Sequence, residues 1–202
     1  MSSLTSTLKW RETEALAARR DLCTASDTIR GMFITNALEC VRRVVSPVAV
    51  TEIEAELGIK EKPAMLAKVP MRSFIEVQMA AAKRMAPVVG SPEDALARIG
   101  GASLEIFFDS IAGKTMKLLA GDDPQRLLSA APNGYQFAVT FGSRSYEKTG
   151  PRSGVFTLER ELLGPCHTLG TFDAAIFGVH GMHPDMKVEQ SDVATFKILV
   201  SW

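Results

Sequence analysis

The spacing of apolar residues changes from a helical period to a strand period about two-thirds of the way along the chain. From Asp27 to Val45 the apolar side chains fall on one helical stripe, formed by Phe33, Ala37, Leu38, Val41, Val44 and Val45. Four further helices are predicted, after Ser46-Pro47, over 71–89, after Ser91-Pro92 and after Asp123-Pro124. The first of these should stop at Gly58, and a loop is expected over 58–70. The first 26 residues are charged and weakly periodic, which favours an arm or a frayed helix. The N-terminal two-thirds of the chain is therefore predicted to be helical.

A strand pattern begins near residue 133. In NGYQFAVTFGSRSYEK, residues 133–148, apolar and polar residues alternate, and VFTLEREL after the turn at 149–154 predicts a second strand. A helix is expected from about His167 to His180, followed by a hairpin that crosses Ser191-Asp192 and ends at Trp202. The fold class predicted is α+β, with the helical N-terminal two-thirds packed on a small antiparallel sheet of two hairpins joined by a helix.

Composition limits the class of protein. The 202 residues are 46% hydrophobic, which fits a single globular domain over 27–202 preceded by the arm at 1–26. Lys+Arg and Asp+Glu are equal at 23 each, so a nucleic-acid partner is not expected. No apolar run approaches the ~20 residues of a membrane span, and the N-terminus has no apolar signal core. Three scattered cysteines favour a reducing compartment, so a cytoplasmic protein is expected.

The three histidines raise the question of a metal site. His167 and His180 stand thirteen residues apart in the predicted helix, which separates their backbones by ~20 Å. Two ligands of one zinc ion lie within ~2 Å of it, so these two histidines cannot share an ion. His180 precedes Gly181, a typical helix-ending residue, and His183 has no obvious third ligand near it. No metal is expected.

Four charged residues are the remaining candidates for a site. Glu105 and Asp109 are four residues apart on one helical face, which suits acid–base chemistry but also an ordinary solvated face. Arg144 and Arg160 fall in the two predicted strands, and Arg160 shares a face with apolar residues. An arginine in such a place needs a carboxylate, a carbonyl group or an anionic ligand. The partner expected inside the protein is Glu147 or Glu105.

Several stretches resemble a known family. They are TIRGMFITNALECVRR, SPEDALARIGGASLEIFFDS, IAGKTMKLLAGDDPQRLLSAAPNGY, FGSRSYEKTGP and the terminal Ser201-Trp202. These are similar, over residues 27–202, to uncharacterised paralogous proteins that are expanded in myxobacteria and known as a domain of unknown function. No catalytic motif belongs to the resemblance.

The layout also resembles, at the level of the fold, haem–nitric-oxide sensors, vinyl-reductase-type ligand-binding domains and vesicle-tethering subunits. In these a helical half packs on an antiparallel sheet and can enclose an apolar ligand. The haem sensors carry their proximal histidine on a helix before the first strand. This chain has no histidine before His167, which argues against haem, and no cofactor is expected.

The function favoured by the sequence is a non-enzymatic sensory or regulatory module that binds an apolar small molecule or a protein partner. Nine methionines and ten phenylalanines supply adaptable side chains for a pocket. The alternative is an interaction subunit with a filled core that forms a homodimer or joins a larger assembly. An enzyme using Glu105, Asp109 or Arg160 is the third hypothesis. A cavity of ~300 Å³ or more favours ligand binding, whereas a filled core with a large exposed apolar patch favours assembly.

Overall fold

The computed structural model describes residues 8–109, 111–121 and 123–202, without the side chains of 106, 107, 109, 111, 112, 116, 119 and 120. The helical part comprises α1 (Glu12–Asp21), α2 (Met32–Val44), α3 (Pro47–Leu57), α4 (Met71–Val89), α5 (Pro92–Asp109), α6 (Ile111–Ala120) and α7 (Pro124–Ala138), with short strands β1 (Thr28–Arg30) and β2 (Lys68–Pro70). The rest comprises β3 (Ser143–Gly150), β4 (Ser153–Glu159), α8 (Pro165–His180), β5 (Asp185–Gln190) and β6 (Phe196–Ser201). The predicted α+β class is confirmed.

The helix starts follow the predicted capping residues. The Ser46 hydroxyl accepts the Ala49 N–H at 3.1 Å, and the Ser91 hydroxyl accepts the Asp94 N–H at 3.0 Å. Both serines precede a proline, whose fixed φ suits the first helical turn. The predicted stop at Gly58 is also present, because this glycine adopts the left-handed conformation with φ 66° and ends α3.

The four-stranded sheet is antiparallel, in the order β3-β4-β6-β5. It consists of two hairpins joined by α8, as predicted. Its inner face carries Phe156, Leu158, Val188, Phe196, Ile198 and Val200, which pack against Leu169, Phe172 and Ile176 of α8. Alternate residues on β4 and β6 are exposed or partly exposed, so one face of the sheet is buried and the other faces solvent. Among the described residues no helix is long and apolar enough to cross a membrane.

The strand predicted over 133–148 is wrong in its first half. Helix α7 continues to Ala138, and the strand begins only at Ser143. The Asp123 side chain accepts the Gln125 N–H and starts this helix, and Leu127, Leu128, Ala131 and Tyr135 then recur at helical spacing. The alternation seen around Tyr135 is therefore one flank of a helix, and only Val139 retains an extended role, in a bridge to Ile29.

The predicted helix over 27–45 and the predicted loop over 58–70 also need correction. Residues 28–30 form β1 and pair antiparallel with 68–70 of the supposed loop as β2, and the helix starts at Met32. The first 26 residues contain α1, whose Ala15 and Leu16 are buried. A three-residue strand is too short to show an alternation of apolar and polar residues in the sequence. Its partner also lies about forty residues away, so no local hairpin signal marks the pair.

Helices α5 and α8 cross in close contact through glycines. A Cβ added at Gly100 would lie 2.8 Å from the His167 carbonyl carbon and nearer still to its oxygen, and one added at Gly170 would overlap the Ala97 carbonyl group. Helix α5 runs straight through Gly100 and Gly101, so these glycines mark the helix contact and not a break. This crossing fixes α8 between the helical part and the sheet.

The C-terminal strand leads to a stability prediction. Ile198 is fully buried in β6. Trp202 is only partly buried, and its backbone N–H donates to the Arg152 carbonyl. Deleting Ser201-Trp202 should therefore lower the melting temperature by less than Ile198→Ala, which should cost about 2–5 kcal/mol. Thermal melts of both variants measure this. A deletion as harmful as Ile198→Ala would show that Trp202 contributes more than its partial burial suggests.

Candidate functional site

The site proposed for function is an apolar cavity of about 90 Å³ where α2, α5, α7 and α8 meet. Its walls include Met32, Phe33, Leu104, Leu128, Ala131 and Phe172. At its edge lies Phe137, whose side chain is 42% exposed. Helix α8 contributes to this cavity on one side and packs on the sheet on the other, so the cavity lies at the junction of the two parts of the fold.

Two polar hydroxyls of the cavity wall are satisfied by the backbone. Ser103 donates to the Ile99 carbonyl at 2.9 Å, and Thr171 donates to the His167 carbonyl at 2.9 Å. Serine and threonine within helices often bond to the carbonyl four residues earlier. Neither hydroxyl therefore needs a ligand.

His167 is the one histidine among the residues described as lining the cavity, and it is buried. Its Nδ1 lies 3.0 Å from the Gln78 amide nitrogen, and its ring makes an edge contact with Phe74. Burial, with the positive charge of Arg19 as a second cause, lowers the pKa of His167 to about 3. The imidazole is thus neutral near pH 7, and it presents no positive charge to the cavity.

The Tyr135 hydroxyl is bonded to a neighbouring threonine. The ring is partly exposed and the hydroxyl is buried. A side-chain hydrogen bond joins it to Thr168, whose own hydroxyl donates to the Gly164 carbonyl at 2.8 Å and keeps lone pairs that accept from the phenol. Burial raises the pKa of the Tyr135 phenol well above its usual value, so the group stays protonated.

Arg144 is held by a buried ion pair next to the cavity. Its Nε donates to Glu161 Oε2 at 2.7 Å and its Nη1 donates to the Phe141 carbonyl at 2.8 Å. The guanidinium also stacks over the Tyr135 ring, 4.5 Å from its centroid. The Arg144 and Glu161 side chains are 5% and 0% exposed. The internal carboxylate is therefore Glu161, and not the Glu147 or Glu105 expected from the sequence.

Arg160 also pairs with a carboxylate that the sequence did not indicate. Its Nη1 and Nη2 donate to the two oxygens of Asp27 at 2.8 and 2.6 Å, and Nη2 donates to the Leu22 carbonyl. Strand β4 ends at Glu159, and Arg160 takes a positive φ of 51°, so it does not share the inner face of the sheet with Phe156 and Leu158. Its side chain is 41% exposed and therefore only partly removed from water.

The Asp27–Arg160 pair predicts a pH dependence of stability. Hydrogen bonds from Arg160, with others from Thr24, lower the pKa of Asp27 from its usual 3.8 to about 2. A carboxyl whose pKa is lower in the folded state stabilises that state above the unfolded pKa and loses this contribution as the pH falls. The pair should contribute at most about 2 kcal/mol, reduced by solvent around Arg160, and should lose it between pH 4 and 2.

Urea unfolding of the wild type and of Arg160→Leu from pH 7 to pH 2 measures this contribution. The stability difference between the two proteins should be constant at neutral pH and should shrink below pH 4. A difference that does not change with pH would contradict the pairing as the source of the stabilisation.

The other two sequence candidates belong to helix α5. Glu105 is exposed on α5. Asp109 ends the same helix, and its side chain lies outside the described residues. No acid–base pair can therefore be assigned at this face from the described side chains.

The histidines are placed as the sequence predicts. His167 and His180 lie in the first turn and at the last residue of α8, while His183 bonds through Nδ1 to Asp173 Oδ1 at 2.8 Å. Within the described residues no group of three or more His, Cys, Asp or Glu side chains could hold a metal ion. Elemental analysis of purified protein should accordingly find no stoichiometric zinc or iron. One metal per chain that is lost in a His180→Ala, His183→Ala variant would contradict this prediction.

Tyr135 and His167 line the cavity, but the sequence alone does not identify them as ligand-site residues. The alternation around Tyr135 predicts a strand, although Leu127, Leu128, Ala131 and Tyr135 after the Asp123-Pro124 cap have helical spacing and indicate the helix. His167 stands out in the sequence only as a potential metal ligand. No sequence signal shows that it meets α2, α5 and α7, because that depends on the glycine contact between α5 and α8.

Solved structures of similar fold include H-NOX proteins. An H-NOX protein from K. algicida with unliganded Fe(II) has a TM-score of 0.67 at 15% identity, with 86% of this chain and 96% of that chain covered. A single-site mutant of the H-NOX protein from T. Tengcongensis has a TM-score of 0.68 at 10% identity, with 86% and 97% covered. Another of these structures comes from work on haem distortion in the H-NOX family. At these identities the likeness shows a shared fold.

The residues of this chain do not fit a haem. A cavity of about 90 Å³ is far below the ~300–1,000 Å³ of pockets for drug-sized ligands, and a porphyrin needs at least that much. Haem iron in sensors of this kind needs an axial side chain such as histidine. The helices before the sheet contain none, and His167 Nδ1 is already bonded to Gln78.

The chain also matches a protein family. The model of the family described as "Protein of unknown function (DUF2378)" matches residues 22–202. No curated protein matches the chain.

Proposed function

The chain belongs to the DUF2378 family, and we propose that it is a non-enzymatic sensory module that binds a small apolar molecule in the cavity between α2, α5, α7 and α8. The observation that carries this proposal is an apolar cavity at the junction of the helical part and the sheet. The H-NOX proteins of similar fold, one of them studied for haem distortion, support a ligand-binding role for this fold.

The volume of the cavity limits its occupant. The cavity, at about 90 Å³, is smaller than the ~300 Å³ at which a pocket usually begins to hold a drug-sized ligand. Apolar cavities of ~150 Å³ in other proteins stay dry and bind benzene or xenon. The occupant proposed here therefore has only a few non-hydrogen atoms. At a ceiling of about 1.5 kcal/mol per atom, a four-atom ligand binds no more tightly than tens of micromolar.

We also propose that the protein is not an enzyme, because the charged side chains that could act in catalysis are paired with other groups or exposed. Arg144 is engaged with Glu161 and the Phe141 carbonyl, and Arg160 is engaged with Asp27. Glu105 lies on an exposed face. The charged candidates thus form separate structural pairs or face solvent, and none of the described ones lines the cavity.

Transmission of a signal follows from the position of α8. Phe172 and Ala175 of this helix line the cavity and also belong to the apolar core under the sheet. A ligand that shifts α8 would change the packing of β4 and β6. Interiors as dense as protein cores pass such shifts on to their neighbours.

Xenon binding followed by NMR tests the proposal. Under xenon pressure the methyl resonance of Met32, which lines the cavity, should shift in a saturable manner. Ala131→Leu places extra atoms into the cavity and should abolish the effect. Ala130→Leu is the matched control, because it makes the same change one position away on α7 and Ala130 is not part of the wall. Equal responses of the two variants would contradict the proposal.

Native mass spectrometry of protein purified from its own host distinguishes the alternative function. A monomer with a small bound molecule supports the sensory module. A stable dimer or a complex with another protein, with no response to xenon, would favour the assembly subunit.

A further inference from the structure

We propose that two copies of this chain associate edge to edge through strand β5, so that their sheets join across a two-fold axis at Val188. The surface is separate from the cavity, because the residues that line the cavity include none from β5. The proposal therefore goes beyond the proposed function and can fail without it.

Strand β5 is an open edge of the four-stranded sheet. In the part of the chain that the structure describes, β5 pairs with β6 on one side and with no strand on the other. Such an edge presents backbone N–H and C=O groups that can pair with another strand. Lys9 donates its N–H to the side chain of Gln190 at 2.9 Å, so this bond leaves the backbone of β5 free. A further strand can therefore extend the sheet here.

The charges along β5 favour a second copy of β5 as that strand. Asp185, Lys187 and Glu189 are exposed on the outer face, whereas Val188 is buried on the inner face. Residues directly opposite each other in an antiparallel pair share a face, and opposite charges there attract. With the two copies of Val188 opposite each other, Lys187 faces Glu189 of the second copy. The two-fold axis repeats this ion pair, so the edge is complementary to itself.

Other symmetric registers are less favourable. An axis at a charged residue of β5 places two like charges opposite each other, which is destabilising. An axis at Met186 matches Asp185 with Lys187, but within the strand it pairs only residues 185–187, because Pro184 precedes the strand and has no N–H to donate. The axis at Val188 pairs residues 186–190 and is the longer match.

The opposite edge of the sheet, strand β3, lacks this complementarity. Its pairing with β4 is irregular between Lys148 and Gly150, and such bulges protect an edge from further pairing. Its exposed outer-face residues Ser143, Ser145 and Glu147 include one charge, so no symmetric register pairs opposite charges on that face. Strand β3 therefore provides a control edge in the same sheet.

The expected dimer is weak. A match over residues 186–190 of each strand buries far less than the ~1,600 Å² of a standard stable interface. Association should accordingly depend on protein concentration, with the monomer predominant in dilute solution.

Sedimentation of charge-reversed variants tests the pairing. The wild type should show a reversible monomer–dimer equilibrium as its concentration rises. Lys187→Glu and Glu189→Lys each place like charges opposite each other twice, so each should weaken self-association by about tenfold or more. Mixing these two variants restores both ion pairs and should give a heterodimer of about wild-type affinity. The double variant Lys187→Glu, Glu189→Lys should also dimerise like the wild type.

Glu147→Lys is the matched control, because it reverses an exposed charge on β3 and should leave self-association unchanged. The side chains of Lys187 and Glu189 are 63% and 53% exposed, so thermal melts should show that the variants stay folded. A wild type that remains monomeric at its highest soluble concentration overturns the proposal. A dimer that Lys187→Glu leaves intact, or two variants that do not associate on mixing, also overturns it. The xenon response of the cavity should be the same in monomer and dimer, so the proposed function is tested separately.

Discussion

Gly100→Ala should destabilise the protein by about 2–4 kcal/mol, because the new methyl group would overlap the His167 carbonyl group. Helix α8 would have to move away from α5 to make room. This penalty exceeds the ~0.5–1 kcal/mol that alanine gains over glycine within a helix. Gly170→Ala, which meets the Ala97 carbonyl group from the other helix, should have a similar effect.

Gly101→Ala is the matched control for the helix crossing. A Cβ there would lie 3.4 Å from the Gly170 oxygen and 3.6 Å from the Ala174 Cβ, which is close to ordinary contact. The same substitution one residue along should therefore be neutral or slightly stabilising. Urea unfolding of the three variants gives the comparison. A loss for Gly101→Ala equal to that for Gly100→Ala would mean that the α5–α8 spacing does not depend on Gly100.

Arg144→Leu should cost about 3–5 kcal/mol, because it leaves the fully buried Glu161 carboxylate without its counter-charge. The second Glu161 oxygen accepts the Leu163 N–H at 3.0 Å, so the loop before α8 should loosen with the pair. The double variant Arg144→Leu, Glu161→Leu should recover part of the loss, since no unpaired charge then remains buried. Chemical unfolding of both variants measures the difference.

An exposed arginine pair provides the control for Arg144. Arg42 forms a bidentate pair with Glu39 on the surface of α2, where solvent screens the interaction. Arg42→Leu should change the stability little. Equal losses of stability for Arg42→Leu and Arg144→Leu would show that burial does not increase the contribution of the Arg144–Glu161 pair to stability.

The sequence predicted well wherever a local signal decides the structure. The Ser46 and Ser91 caps, the stop at Gly58 and helix α8 between its proline and Gly181 all depend on residues within one helical turn of each other. The turn between β3 and β4 and the final hairpin likewise follow from neighbours along the chain. These features indicated the α+β class and placed the histidines at opposite ends of a helix.

The errors arose where two local signals compete. Around Tyr135 an apparent alternation of apolar and polar residues lies inside a helix that starts eleven residues earlier, at Pro124. At Arg160 the apolar pattern continues, but the backbone turns to a positive φ after Glu159 and directs the side chain to Asp27. The spacing of apolar residues is visible in a few consecutive residues, whereas the residue at which a helix or strand ends depends on what packs next to it.

The sequence alone therefore determined most of the elements, their order, and the lack of a shared site for His167 and His180. The tertiary structure decided the partners of Arg144 and Arg160, the pairing of β1 with β2, and the cavity. The arginine pairs and the β1–β2 pairing join residues that are from 17 to 133 positions apart. Such contacts depend on how closely helices approach, and at Gly100 that distance is set by the absence of a single methyl group.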